Sequence, residues 1–387
     1  EAAFSEITAI NDLNIIWNYR TLSQHDFLFG AEWQRESRIE STVETIDHKT
    51  SIRTISNFSQ ISKYNDFDID NYAFYIQDNF IFNQENTTLT LGARIDILDL
   101  FENQKSFRVG LTHQLSKSWY TKVLWGTAFR SPIFLEFTLA RPQNDTPPEP
   151  ETIKTVELQV GYQSISSSYS LTFFQNEIKN FIDEVVNADD IPNWWIPPND
   201  FWFAEFDNFK SRQMQGIEFE IRTFPYSNFD VFFNASYLNT KNNDSGKSIE
   251  LLANWTGTLG GSWQRENKYG VYLLSSYVSL VGDRKDWSVN NVAENRIGAY
   301  EKPRLQKMSD GYLVWNAKLA YDFNKDSKHG FELSLEIKNI LDEKYFTQWP
   351  VSNNVLRDTQ GNTKTFTPWF DMQFNGRSAL LAITFRW

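Results

Sequence analysis

Apolar and polar residues alternate one for one along most of this chain, and the 3.6-residue helical period is nearly absent. In SWYTKVLWGTAFR, Trp119, Thr121, Val123, Trp125, Thr127 and Phe129 fall on one side, against Tyr120, Lys122, Leu124, Gly126, Ala128 and Arg130. GFELSLEIKNI sets Phe331, Leu333, Leu335 and Ile337 against Glu332, Ser334, Glu336 and Lys338. TLTLGARID sets Leu89, Leu91, Ala93 and Ile95 against Thr90, Gly92, Arg94 and Asp96. QGIEFEIR opposes Ile217, Phe219 and Ile221 to Glu218, Glu220 and Arg222. The closing ALLAITFRW puts Ala379, Leu381, Ile383, Phe385 and Trp387 on one face. Segments 71–83 and 269–281 fit either face, and 168–186 changes phase midway. About fifteen such segments occur, mostly of roughly nine to thirteen residues, which reads as strands throughout. Globular strands run nearer five or six residues, whereas a tilted strand crossing a bilayer needs about nine to eleven.

The connections alternate too. Tight polar ones stand at 22–25, 83–86, 115–118, 164–168, 225–228, 265–268 and 324–328. Long ones stand between them at about 39–70, 131–150, 187–210, 241–252, 282–310 and 341–377, with 99–104 alone short where a long one is due. An up-and-down outer-membrane barrel has this pattern, with short turns at one rim and long loops at the other. Pro132 ends its strand because its ring has no N–H to donate to the ladder. Aromatics gather beside the short turns at Trp119, Tyr162, Tyr169, Tyr226, Trp263, Tyr269, Tyr321, Phe323 and Trp387. An interfacial girdle predicts that clustering, and packing at strand ends is the alternative.

Composition changes the picture in three ways. Aromatic residues make up 16% of the chain while mean hydropathy is −0.49, and no apolar run reaches the length of a membrane helix. A barrel strand presents lipid only at every second residue, so its average reads polar. The net charge of −12 disfavours a nucleic-acid partner. Cysteine is absent and the four histidines (His25, His48, His113, His329) are scattered, so neither disulfides, a cofactor nor a bound metal is expected. No catalytic constellation emerges either: GTLGGS (257–262) lies in a strand and lacks the lysine of a phosphate loop. Glu218 and Glu220 face a polar interior, where carboxylates contact water or packed residues, and the chain is not read as an enzyme.

Five stretches together resemble the TonB-dependent outer-membrane transporter family. GTAFRSPIFLEF (126–137) is similar to that family's strand-to-loop signature at Phe129, Arg130, Pro132, Leu135 and Glu136. PEPETIKTVELQVGY (148–162) resembles the segment that follows it, at Pro150, Glu151, Glu157 and Gly161, and QGIEFE (215–220) resembles a later strand. LEIKNILDEKY (335–345) is similar to the late strand at Asn339, Ile340, Leu341, Asp342 and Tyr345, and GRSALLAITFRW (376–387) to the closing strand. NYAFYIQDNF and TLTLGARID fit middle strands.

The resemblance implies an all-β, multi-pass transmembrane barrel of the bacterial outer membrane. Family members close twenty-two strands around an N-terminal plug, so residues 1–387 are expected to be the C-terminal part of one barrel domain, without the plug and the early strands. An open sheet in lipid would leave backbone groups unpaired at two edges, which makes a fragment or split receptor the expectation. The implied partners are TonB through the plug segment, the N-terminal portion of the same receptor, outer-membrane lipids and lipopolysaccharide, and the barrel-assembly machinery, for which Trp387 serves as the signal. The implied function is TonB-dependent active uptake of a scarce, bulky ligand, by family base rate a ferric siderophore.

Ligand capture is placed in the long loops. Loop 187–210 carries Trp194, Trp195, Phe201 and Trp202 on a proline-stiffened scaffold, and loop 341–377 adds Trp349 and Trp369. Exposed aromatic clusters mark binding surfaces, with loop-loop packing as the alternative. Arg284, Arg296 and Arg304 in loop 282–310 would favour an anionic ligand or, equally, lipopolysaccharide phosphates. Arg94, Asp96, Arg130, Glu157, Glu218, Glu220, Glu336 and Lys338 are expected to face the lumen and plug. Haem uptake is disfavoured because 131–150 contains no histidine. A passive porin or a barrel enzyme, and a soluble all-β adhesin or carbohydrate-binding protein, stay open as rival readings.

Overall fold

The computed structural model describes residues 2–20, 24–47, 52–57, 68–82, 86–133, 136, 148–187, 204–243, 252–283, 311–323, 329–348, 354–357, 363–366, 371–373 and 376–386. The strands are β1 (Ala2–Tyr19), β2 (His25–Asp47), β3 (Ile52–Asn57), β4 (Asp68–Phe82), β5 (Thr87–Ile97), β6 (Gln104–Gln114) and β7 (Trp119–Arg130). They continue as β8 (Glu151–Gln163), β9 (Ser167–Asn187), β10 (Ala204–Tyr226), β11 (Phe229–Asn242), β12 (Trp255–Asn267), β13 (Gly270–Val281), β14 (Tyr312–Phe323) and β15 (Gly330–Lys338). Four short strands follow, β16 (Phe346–Gln348), β17 (Asn354–Arg357), β18 (Thr363–Phe366) and β19 (Asp371–Gln373), before the closing β20 (Ser378–Arg386).

Fifteen of these strands have nine residues or more, and each pairs antiparallel with the next in one meander from β1 through β2, β4 and onward to β15 and β20. This is the up-and-down barrel wall that the alternation predicts. Among the described residues no ladder joins β1 to β20. Six strands exceed the expected length: β4 has 15 residues and β11 has 14, while β1 has 18, β2 and β10 have 23 and β9 has 21. Their hairpins continue past the common wall, β9 and β10 staying in register from Ser167↔Thr223 to Val186↔Ala204. Backbone pairing needs no alternation of side chains once a ribbon leaves the wall, so the pattern alone undercounts them.

Register decides the two faces, because directly paired residues share one. Starting from Trp125, the pairs run Val109, Leu91, Asp78 and Phe27 on one side and Val156 on the other. Lower in the same face, Phe229, Trp263, Leu274, Leu319, Leu335 and Leu381 form an unbroken row. These side chains are out in the open: Trp255 is 56% exposed, Trp119 49%, Leu381 67% and Ile383 56%. Among the described residues the buried hydrophobic set is just Ile69, Ala73, Leu98, Ile182, Val271 and Ala320. A soluble sandwich would bury its largest apolar residues between sheets, and this wall does the opposite.

Aromatic rings line the short-turn end of the apolar face. Trp119, Tyr162 and Tyr169 lie 5.2 and 5.4 Å apart by centroid, and Tyr272, Tyr321, Phe323 and Phe331 continue at 4.3, 4.3 and 4.2 Å. On the opposite, polar face, glycines let rings lie flat against the wall. A Cβ on Gly161 would fall 2.2 Å from the Tyr120 ring and one on Gly30 2.0 Å from the Tyr75 ring. The phase change of the apolar pattern within 168–186 is not matched by any change of register to β10. Asn180 adopts φ 52°, a left-handed backbone that its short polar side chain tolerates, while the ladder to β10 keeps one register on both sides of it, from Phe181↔Phe209 to Lys179↔Ser211.

Candidate functional site: the polar face and the long-loop rim

The polar face carries a set of paired charges at spaced positions on neighbouring strands. Arg94 donates from Nε and Nη2 to Asp96 Oδ1 (2.9 and 2.7 Å) and from Nη1 to Glu32 Oε2 (2.9 Å), with its guanidinium 5.6 Å from the Tyr75 ring centroid. Arg222 pairs with Asp230 (2.9 Å), Lys318 with Glu332 (3.3 Å) and Lys338 with Glu336 (3.6 Å). Glu218 lies between Thr172 and Ser236, and Glu220 accepts the Ser170 hydroxyl at 3.3 Å. Glu157 stands between Leu124 and Phe174. Paired guanidinium and carboxylate groups of this kind suit a wetted face.

At the long-loop end of β7 the sequence FRSP folds into a knot. Arg130 Nε donates to Glu151 Oε2 (2.7 Å) while Nη1 and Nη2 grip both oxygens of Glu136 (2.8 and 3.0 Å). Glu136 Oε2 also accepts the Ile133 N–H (2.8 Å), and Glu151 Oε1 the buried Ile182 N–H (2.7 Å). One arginine therefore ties the start of loop 131–150 to the first residue of β8 and, through Glu151, to β9. A second tie stands beside it. Asn208 of β10 accepts the Glu149 N–H (2.7 Å) and donates to the Glu149 and Asn180 carbonyls (3.0 and 2.7 Å). Asn180 Nδ2 reaches Glu149 Oε2 at 3.1 Å.

The NILDEKY stretch makes a comparable turn after β15. Asn339, 3% exposed with φ 52°, donates its N–H to Asn316 Oδ1 and exchanges side-chain bonds with the backbone of Glu343 (2.8 and 2.9 Å). Asp342 (φ 57°) accepts the Arg377 N–H at 2.7 Å, which anchors the chain returning to β20. Tyr345 stacks on Tyr312 at 4.5 Å, and burial, with Tyr312 adding, lifts its phenol pKa above the ordinary value. The asparagine and aspartate are there because both residue types accept left-handed backbone while capping neighbouring N–H groups.

Register places Arg94, Asp96, Arg130, Glu157, Glu218, Glu220, Glu336 and Lys338 all on the polar face. They form separate pairs and networks along the wall rather than one cluster. Trp194, Trp195, Phe201, Trp202, Arg284, Arg296, Arg304, Trp349, Trp369 and Trp387 lie outside the described residues. Sequence reasoning missed Glu149, Asn180, Asn208 and Asn316, which meet their partners across 23 to 59 positions of chain. It also missed β17, which pairs parallel with β9 at Val355↔Val185 to Arg357↔Asn187. That pairing brings the connection between β15 and β20 to the strand that leads into loop 187–210. Among the described residues no group of three or more His, Asp or Glu side chains could hold a metal ion.

A polar-lined, apolar-belted meander of this length, with loops knotted at one rim, is the wall of a large outer-membrane-type barrel. A family model described as TonB dependent receptor-like, beta-barrel matches residues 4–340, and the chain belongs to that family. No curated protein sequence matches it. Among solved structures it is similar to BauA, the ferric preacinetobactin receptor from Acinetobacter baumannii (TM-score 0.64, 15% identity, 100% of this chain and 55% of that one). It is also similar to the copper transporter OprC (0.68, 15%, 100% and 57%). A mutant of the ferric enterobactin receptor PfeA from Pseudomonas aeruginosa gives 0.65 at 16% identity, over 99% and 54%. The chain thus spans about half the length of the structures it matches.

Proposed function

We propose that this chain forms the greater part of the barrel wall of an active importer in the bacterial outer membrane, driven through TonB and carrying a ferric siderophore. The observation that carries the reading is the family membership of a wall whose polar face is lined by paired charges and whose long-loop rim is knotted. The polar face receives a plug from the N-terminal portion of the same receptor, which also supplies strands for the edges of β1 and β20 and the contact to TonB. Loops 187–210, 282–310 and 341–377 take the ligand, their tryptophans stacking on it and Arg284, Arg296 and Arg304 meeting an anionic complex. Similarity to receptors for ferric preacinetobactin and ferric enterobactin supports an iron cargo, and similarity to a copper transporter makes cupric ion the comparison.

Uptake of radio-iron as ferric enterobactin and as ferric citrate, and of cupric ion, tests this in a deletion strain complemented with the full receptor. Accumulation of a ferric complex that disappears when TonB is removed is the expected result. Uptake indifferent to TonB, together with steady ion conductance of the intact receptor in planar bilayers, would make it a passive pore.

A further inference from the structure

One residue of the apolar face does not belong to a hydrocarbon-facing belt. Asp78 of β4 shares that face with Phe74, Ile76 and Phe80 and is paired with Phe27 and Leu91. A carboxylate among such neighbours needs partners. His25 supplies one: its Nδ1–H donates to Asp78 Oδ2 at 2.7 Å, and its ring stacks on Phe27 and Phe80 at 5.3 and 4.7 Å. Asp78 Oδ1 is buried and has no hydrogen-bond partner, so the carboxylate is under-used as an acceptor. Asp78 also borders a groove of about 520 Å³ whose walls are Ile76, Leu91, Phe107, Val109 and Trp125, with Ala93, Gly92 and Arg108 completing the lining; the last two are paired with each other and belong by register to the opposite, polar face. The groove exists because Ala93 stands between Ile76 and Phe107 in the paired row, a methyl group between two large side chains.

Position matters as much as chemistry. Phe27, the partner of Asp78, is two residues from His25, the first residue of β2. At ~3.3 Å per residue and a tilt of ~40°, Asp78 lies about 5 Å above the start of β2 and about 10 Å above the end of its own strand at Phe82. Short turns face the periplasm in barrels of this type, so the groove opens to the inner leaflet beside the headgroup layer.

We propose that this groove binds a phospholipid with a primary ammonium headgroup, an acyl chain lying along Ala93 and the ammonium donating to the Asp78 carboxylate beside His25. The inference rests on the apolar face being the lipid face. Charge and donor count select the class: an anionic headgroup meets like charge at Asp78, and a quaternary ammonium has no N–H to give.

The test is native mass spectrometry of the detergent-solubilised full receptor. It is incubated with equal amounts of phosphatidylethanolamine, phosphatidylcholine and phosphatidylglycerol of identical acyl chains, folding being checked by heat-modifiable gel migration. The expected result is retention of phosphatidylethanolamine about tenfold above phosphatidylglycerol, with phosphatidylcholine well below it. Asp78→Asn should erase that preference, and Ala93→Leu, which fills the groove and leaves the carboxylate in place, should lower retention of all three. Equal retention of the three lipids, or wild-type retention by Ala93→Leu, overturns the site while a detergent-requiring barrel leaves the membrane reading intact. A folded receptor that needs no detergent overturns both.

Discussion

At the scale of single residues, the contrast between Arg130 and Arg222 shows what a buried partner is worth. Both guanidiniums sit on the polar face. Arg130 neutralises two carboxylates, Glu136 and Glu151, whose side chains are 10% and 12% exposed. Arg222, itself 59% exposed, holds only Asp230 among the pairs described. Removing Arg130 strands two buried anions, and water at the half-open arginine offsets part of that loss. Arg130→Met should therefore cost about 2–3 kcal/mol, and Arg222→Met less than about 1 kcal/mol, as exposed pairs do. Arg130→Lys should fall between, because an ammonium cannot reproduce three bonds in a planar fork. The readout is the temperature at which the fast-migrating folded band is lost on a gel, and equal shifts for the two methionine variants would contradict the ranking. Arg130 and Glu136 stood out in the sequence through the resemblance of GTAFRSPIFLEF, and Glu151 through that of the segment after it. What they bind did not, since the Ile133 and Ile182 amides carry no local signal of their use.

For a strand, the testable quantity is which face each residue takes. Leu335 lies mid-strand in β15 between Leu319 and Leu381, whereas its neighbour Glu336 lies between Lys318 and Leu380. Leu335→Arg puts a charge into the belt and should cost about 2–4 kcal/mol near the midplane. Glu336→Arg, facing the polar side, should stay below about 1 kcal/mol apart from mild repulsion by Lys318 and Lys338. Assembly in the outer membrane, followed by surface labelling and the same gel shift, separates them, and equal defects would reverse the face assignment. Strands were legible because an apolar face on one side and a polar face on the other impose the period of two at every step. The faces of segment 168–186 were not, because its apolar residues move from Tyr169, Leu171 and Phe173 to Phe174, Ile178 and Ile182 while the register to β10 stays constant. The length of β9 was legible as segment 168–186, but the start of β10 at Ala204, inside the expected loop 187–210, was hidden, as pairing there no longer needs an apolar side.

Taken as a whole molecule, the wall is defined by its ends. β1 and β20 each have one paired side, and among the described residues neither pairs with the other. Large apolar side chains stand open on both: Ile15 is 61% exposed and Trp17 66% on β1, Leu381 67% and Phe385 63% on β20. β1 is unusual in exposing Ile10 and Ile16 on the polar face as well, at 57% and 53%, where a neighbouring strand's side chains would cover them. In lipid each unpaired backbone N–H or C=O costs several kcal/mol, and a long bare edge is a template for pairing with another chain. The cheapest satisfaction is more strands of the same kind, and the next cheapest is a second copy of this sheet. Refolded by itself in detergent, the 387-residue chain should therefore elute as a dimer or larger species with no heat-modifiable monomer. Addition of the N-terminal portion of the receptor should replace that species with a monodisperse barrel. A stable, heat-modifiable monomer from the chain alone would mean that β1 and β20 do close on each other, and the expected extra strands would have no edge left to pair.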